Sequence, residues 1–175
     1  VHLNSKPSFI SAGLARNFVP TMVPMLATRG EFLTSYTPYQ PEVSQGMLQA
    51  MWEFQTMVSE LVGLPISNVS MYDASTSAAE AITCAVRAKS KKASQPSCVY
   101  VSDLIPPHRL SVIENYTQGV GIDIHTLPHN SDGTLDLGAA TSAAGSCAVY
   151  VEQPNALGLL DEGLMGLREA IGEST

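Results

Sequence analysis

Between Cys98 and Val151, short apolar runs alternate with longer segments of helical character, and this alternation restricts the fold more than any other feature. Cys98-Val99-Tyr100-Val101-Ser102 is a continuous apolar run of strand length. Pro106-Pro107 then opens a helix that is expected to reach about Thr117 and to stop near Gly119. Ile122-Asp123-Ile124-His125-Thr126-Leu127 follows with strand alternation, and Ala148-Val149-Tyr150-Val151 is a further buried strand, closed by Pro154. Residues 128–146 read as loop, with room for a helix between Leu135 and Ala144, and a final helix is expected from Leu160 to Ile171. Strands separated by crossovers of this length pair in parallel, so the expected class is α/β with a mostly parallel sheet flanked by helices.

Upstream the period changes. Met47, Leu48, Met51, Phe54, Met57, Val58, Leu61 and Val62 recur at steps of three and four, which is one face of a helix and is expected to pack as core. Ser44 is its expected N-cap, and Gly63 with Pro65 its stop. Val69 to Tyr72 reads as a short strand, Asp73 to Ser77 as a polar loop, and Ser77-Ala78-Ala79-Glu80 as a capping box opening a helix to about Ala88. Residues 1–35, with Pro7, Pro20 and Pro24, read as irregular, with one or two short helices around 20–28. The expected division is an N-terminal irregular segment over 1–46 and a partial α/β domain over 47–175. The chain opens at Val1 and stops just past a helix, so both ends read as cut from something longer.

Composition excludes several classes. Apolar residues make up 45% of the chain and charged residues 14%, which suits a buried core rather than disorder. The net charge is −7, and no basic patch argues for nucleic acid. Arg87, Lys89, Lys91 and Lys92 sit where a helix should end and read as a solvated last turn. Cys84, Cys98 and Cys147 have no metal-ligand spacing and favour a reducing compartment, with Cys98 and Cys147 expected as buried thiols. His125 and His129 show no ligand spacing and read as decorating a strand end and its loop. No apolar run is long enough to span a membrane, and no signal peptide is visible.

In parallel sheets, ligands bind beyond the carboxyl ends of the strands. Three loops fall there. Ser75, Thr76 and Ser77 could offer backbone N–H groups and hydroxyls to a phosphate at a helix start, although Asp73 would repel one. An ordinary capped helix start is the plain alternative. The second loop runs from Ser102-Asp103 to His108 and Arg109, and the third is Glu152-Gln153-Pro154-Asn155. Any one of them alone reads as a solvated loop. None of Lys6, Lys89, Lys91 and Lys92 stands in a context suited to a Schiff-base lysine.

One stretch is unusual in composition: Tyr36-Thr37-Pro38-Tyr39-Gln40-Pro41-Glu42-Val43-Ser44-Gln45-Gly46. It resembles the signature of the glycine cleavage system P-protein, specifically its N-terminal half or separate subunit 1. Phe54-Gln55-Thr56-Met57-Val58, Leu61-Val62-Gly63-Leu64, Asn68-Val69-Ser70-Met71-Tyr72-Asp73 and Thr76-Ser77-Ala78-Ala79-Glu80-Ala81 are similar to the same family, as is the approach Phe9-Ile10-Ser11-Ala12-Gly13. The likeness is clear over residues 8–90 and extends to the rest by pattern. In relatives a His often precedes the helix after the Cys98 strand. Pro106 stands there in this chain, so no stacking role passes to His108.

The resemblance implies a fold-type-I pyridoxal-phosphate architecture and a part in glycine decarboxylation. Pyridoxal 5'-phosphate would serve as electron sink, and the aminomethyl group would pass to the lipoyl arm of H-protein. The implied partners are subunit 2 or the C-terminal half, lipoylated H-protein and glycine, with no nucleic acid and no membrane. The cofactor would be held covalently by the partner half. Tyr36 and Tyr39 would line the glycine or lipoyl path, Glu42 and Gln45 would brace that loop or polarise the substrate, and Ser75, Thr76 and Ser77 are the candidate cofactor contacts. The implied compartment is the cytoplasm of a bacterium or archaeon, or the mitochondrion of a eukaryote. Two alternatives stand beside this one: a structural or interaction subunit, and a free-standing pyridoxal-phosphate enzyme whose lysine lies further on.

Overall fold

A computed structural model of the chain describes residues 17–33, 37–89 and 97–172. The chain divides into two units, Val1–Ser70 and Met71–Thr175. This division groups the long helix with the N-terminal segment, whereas the sequence reading sets a boundary after Gly46.

The first unit holds α1 (Met22–Ala27), α2 (Gly30–Leu33), a 3-10 turn at Pro41–Val43 and the long α3 (Gln45–Val62). Ser44 stands at the N-cap position as expected, but its side chain makes no capping bond; its carbonyl accepts from Leu48 N at 2.9 Å. Gly63 ends the helix in the left-handed conformation at φ 69°, where a residue lacking Cβ meets no steric penalty. The methionine stripe differs from expectation. No α3 residue is buried, and Met57, Leu61 and Val62 are 57%, 85% and 57% exposed. A period of 3.6 aligns apolar groups on one face, but burial also needs a surface opposite that face.

The second unit is the α/β layer structure. Its elements are α4 (Ala74–Lys89), β1 (Cys98–Ser102), α5 (Pro107–Gln118), β2 (Asp123–Leu127), α6 (Leu137–Ala140), β3 (Ala148–Tyr150) and α7 (Leu167–Ile171). The described strands form a parallel sheet in the order β2-β1-β3. Cys98 pairs with Asp123 and Ser102 with Leu127 on one side of β1, and Val99 pairs with Ala148 and Val101 with Tyr150 on the other. The strand period of two divides the core. Val99 and Val101 pack with Ala79, Ile82 and Ile113 of α4 and α5 on one face, while Tyr100 and Val149 pack with Leu127, Ala140 and Leu167 on the other.

Four local expectations change. Val69 to Tyr72 forms no strand, because among the described residues no strand pairs with it; Tyr72 is 97% exposed. The α4 helix begins at Ala74 rather than Ser77, since Asp73 supplies the cap. The last helix is split into a 3-10 segment, Glu162–Gly166, and α7, with Asp161 capping the first turn through Gly163 N. Cys98 and Cys147 are half-buried rather than buried, because both lie at the open end of the sheet.

Candidate functional site at the carboxyl edge of the sheet

The chain reverses direction around β1, since β2 lies on one side of it and β3 on the other. Segments leaving β1 and β3 lead to helices on opposite faces, which is where such sheets open a ligand crevice. Three charged or polar side chains from separate elements converge there. Arg109, in the first turn of α5, places Nη1 2.5 Å from Oε2 of Glu152, two residues past β3. The Tyr150 hydroxyl donates to Oε1 of the same carboxylate at 3.0 Å. Glu152 thus bridges a phenol and a guanidinium with its two oxygens.

The electrostatics follow from this geometry. Burial pushes the Tyr150 phenol up to about 12; the Glu152 charge acts in the same direction, and Arg109 opposes it. Burial alone would lower the Arg109 guanidinium, but its hydrogen bond and charge interaction with Glu152 outweigh that and hold it above its ordinary value. Arg109 Nε is buried without a hydrogen-bond partner.

At the start of α4, Oδ1 of Asp73 accepts the N–H groups of Ser75 and Thr76 at 2.7 and 2.8 Å. The bond from Thr76 N–H is the largest influence holding the Asp73 carboxyl below its ordinary value; desolvation opposes it, and Arg109 adds a weaker pull in the same direction. The opposite end of α4 carries Lys89, whose Nζ donates to Ser146 O at 3.0 Å. Ser146 precedes β3, so Lys89 lies at the amino edge, across the sheet from the crevice.

The exits of β1 and β2 are tied together. Asp103 N donates to Leu127 O at 3.0 Å, and His129 Nδ1 lies 2.8 Å from Asp103 Oδ2. His125 faces elsewhere and packs its ring on Tyr100 at a centroid distance of 5.0 Å. His108 is exposed on the first turn of α5. Behind the crevice sits Asp161, a buried carboxylate that accepts from Leu135 N at 2.8 Å and Gly163 N at 2.9 Å. Gln153 clasps the Asp161 backbone by accepting from its N–H and donating to its carbonyl, each at 2.8 Å. The cavity among Ser102, Leu104, Val151, Glu152, Asn155 and Asp161 has about 10 Å³ of free space, too little for a ligand.

The signature residues lie in the first unit. Tyr36 falls outside the described residues. Tyr39 is 85% exposed, Glu42 lies in the 3-10 turn and Gln45 is the first residue of α3. No hydrogen bond joins the side chains of Tyr39, Glu42 or Gln45 to another described residue. Main-chain bonds brace the turn instead, from Val43 N to Gln40 O and from Ser44 N to Pro41 O, at 3.2 and 3.3 Å. Ser75, Thr76 and Ser77 form the first turn of α4 in the second unit.

The sequence marks the loops carrying Arg109 and Glu152 separately, but it does not mark their pairing. It also gives no weight to Tyr150, which looks like one more apolar strand residue, or to Asp161. The only local signal for Asp161 is the Asp161-Glu162-Gly163 order, typical of a capped turn. Among the described residues, no group of three or more His, Cys, Asp or Glu could hold a metal ion, and no helix is long and apolar enough to cross a membrane.

Comparison with known proteins adds a separate line of information. The family model described as glycine cleavage system P-protein matches residues 3–172. The chain is 44% identical over 172 residues to the probable glycine dehydrogenase (decarboxylating) subunit 1 of Pyrococcus abyssi, covering 96% of this chain and 37% of that protein. It is 43% identical over 164 residues to the protein of the same description from Oceanobacillus iheyensis, covering 92% and 35%. A crystal structure of glycine decarboxylase (P-protein) of the glycine cleavage system, in inhibitor-bound form, superposes with a TM-score of 0.76 at 44% identity, covering 87% of this chain and 33% of that one. The chain therefore spans a little over a third of the length of the curated relatives it matches.

Proposed function

Because the chain belongs to the glycine cleavage system P-protein family, we propose that it is part of glycine dehydrogenase (decarboxylating) subunit 1, the half that lacks the Schiff-base lysine. In the whole enzyme, glycine is decarboxylated and its aminomethyl group passes to the lipoyl arm of H-protein. Subunit 2, or the C-terminal half, supplies the cofactor-bearing lysine. Pyridoxal phosphate supplies the electron sink for loss of carbon dioxide. The proposed location is the cytoplasm of a bacterium or archaeon, in keeping with the sources of the relatives above, or the mitochondrion if the source is eukaryotic.

The observation that carries the lysine-free assignment is the state of the carboxyl edge. The residues there do not fit a resident pyridoxal phosphate. The α4 amides that could hold a phosphate are taken by Asp73, and Arg109 is neutralised by Glu152. The small cavity beside Glu152 and Asp161 has no room for a ligand, and Lys89, the lysine among the described residues, is at the far edge of the sheet. The reading in which Ser75, Thr76 and Ser77 hold the cofactor phosphate has these amides against it. Tyr36, Tyr39, Glu42 and Gln45 are proposed to line the path to the site of the partner half. Pro38 and Pro41 keep that loop stiff, so less freedom is lost when it closes on a ligand.

Borohydride reduction of the intact, cofactor-loaded complex tests the assignment. The phosphopyridoxyl label is expected on the partner subunit or on the second half of a fused chain. Label on a lysine of subunit 1 would overturn it and favour a free-standing enzyme.

A further inference from the structure

We propose that the turn at 130–138, after β2, and the loop at 155–163, after β3, form a docking surface for a basic amphipathic segment of another polypeptide. That segment carries apolar side chains beside Lys or Arg. Leu157, Leu159 and Leu160 are all exposed on the loop. They form one surface with the turn. The side chains of Leu157 and Leu159 lie on Gly133, so closely that a Cβ there would come within 3.0 Å of Leu157 Cδ1 and 2.8 Å of Leu159 Cδ1. Leu160 borders an open groove of about 570 Å³ together with Asn130, Thr134, Asp136 and Glu162.

The leucines are held outward by a loop that is itself well bonded. Asn155 Oδ1 accepts from Leu157 N and Leu159 N at 3.0 and 3.1 Å, and Asn155 Nδ2 donates to Gly133 O at 2.9 Å. Gly158 N donates to Asn155 O at 2.8 Å, and Ala156 N donates to Leu104 O at 2.8 Å, which ties the loop to the exit of β1. A loop fixed in this way loses little freedom when a partner binds. Contiguous exposed apolar groups rimmed by polar ones mark an interaction site.

Charge selects the occupant. From Leu110 to Leu167 the sequence has no Lys or Arg. Within the surface, Asp132 stands exposed beside Gly133, and Asp136 and Glu162 border the groove. Asp132 and Asp136 each use Oδ1 inside the turn, toward Thr134 and Ala139 N, and among the described residues Oδ2 of each accepts no hydrogen bond. No cation in either segment balances these carboxylates, so the complementary partner brings its own. A second copy of this chain would set the same carboxylates against each other, which disfavours a symmetric pairing through this face. The surface stands whether or not the chain is part of subunit 1.

The test places a photoreactive benzoylphenylalanine at position 160 of the full chain in the intact assembly, followed by irradiation and peptide mapping. The expected adduct lies in a different polypeptide, in a segment that holds Lys or Arg among apolar residues. Glu162→Lys should then weaken retention of that polypeptide at least tenfold. Glu114→Lys, an equal charge change on the exposed side of α5, should leave retention unchanged. An adduct elsewhere in this same chain, on a second copy of it or in an acidic segment would overturn the proposal. So would the absence of any adduct, or equal retention in the Glu162→Lys variant and wild type.

Discussion

The Arg109 guanidinium and the Glu152 carboxylate stand 2.5 Å apart with 19% and 13% of their side chains exposed, joining the first turn of α5 to the segment that leaves β3. Because Glu152 also accepts from Tyr150, the pair occupies the point where the sheet would otherwise open toward a ligand. In this chain, charge complementarity at the carboxyl edge is satisfied internally.

Breaking the pair from one side should be costly. Glu152→Gln leaves a largely buried guanidinium without its countercharge, for an expected loss of about 3 kcal/mol. The double variant Arg109→Met, Glu152→Met removes both desolvation terms and should recover much of that loss. Urea unfolding of the single and double variants measures the coupling. Single losses that simply add would show that the two residues do not stabilise each other.

Tyr150 should produce a drop in stability at alkaline pH. Its phenol is pushed up to about 12, first by burial and then by Glu152. An unfolded tyrosine titrates near about 10. With the folded value raised, the Tyr150 contribution is fully present below the unfolded value and is lost as pH rises from about 10 toward 12. A tyrosinate absorbance titration of wild type minus Tyr150→Phe isolates this group. Glu152→Gln should shift the isolated transition to lower pH; an unmoved transition would remove Glu152 as a cause.

Asp161 should matter more than its place after a loop suggests. Asp161→Ala leaves the Leu135 N–H without its acceptor in a buried setting, at an expected cost of about 1–3 kcal/mol. Asp161→Asn should fall between wild type and Ala, since one of the two N–H donors would then meet an amide nitrogen. Hydrogen exchange at Leu135 reports the effect directly. Unchanged protection in the Ala variant would show that another group takes the donor.

Tyr39 separates the catalytic reading from the structural one. In the assembled enzyme, Tyr39→Phe is expected to lower glycine turnover about tenfold, equivalent to one lost hydrogen bond, with assembly by sedimentation unchanged. Turnover and assembly falling together would favour a subunit whose signature loop serves contact alone.

Much of the second unit was legible in the sequence for physical reasons. Val99 and Val101 alternate with Tyr100, so a strand packed on both faces was readable, and Pro106-Pro107 and Gly119 bracket α5 closely. Signals that need a partner were weaker. The Val69 to Tyr72 run has strand composition but no neighbouring strand, and the α3 stripe has the right period but no covering surface among the described residues. The helix α4 starts three residues before Ser77 because two capping patterns overlap there, and the Asp73 carboxylate reaches two amides where the Ser77 pattern reaches none.

By itself the sequence determined the α/β class, the parallel alternation and, through the stretch from Tyr36 to Gly46, the family. These are local or periodic properties, written in the order of residues and their spacing. Only the tertiary structure decided that Arg109 neutralises Glu152 and that the Cys147 N–H meets the Cys98 carbonyl. Each of these depends on strand order and register. In a parallel sheet those are set by which faces the crossovers cover, so no local stretch of sequence specifies them.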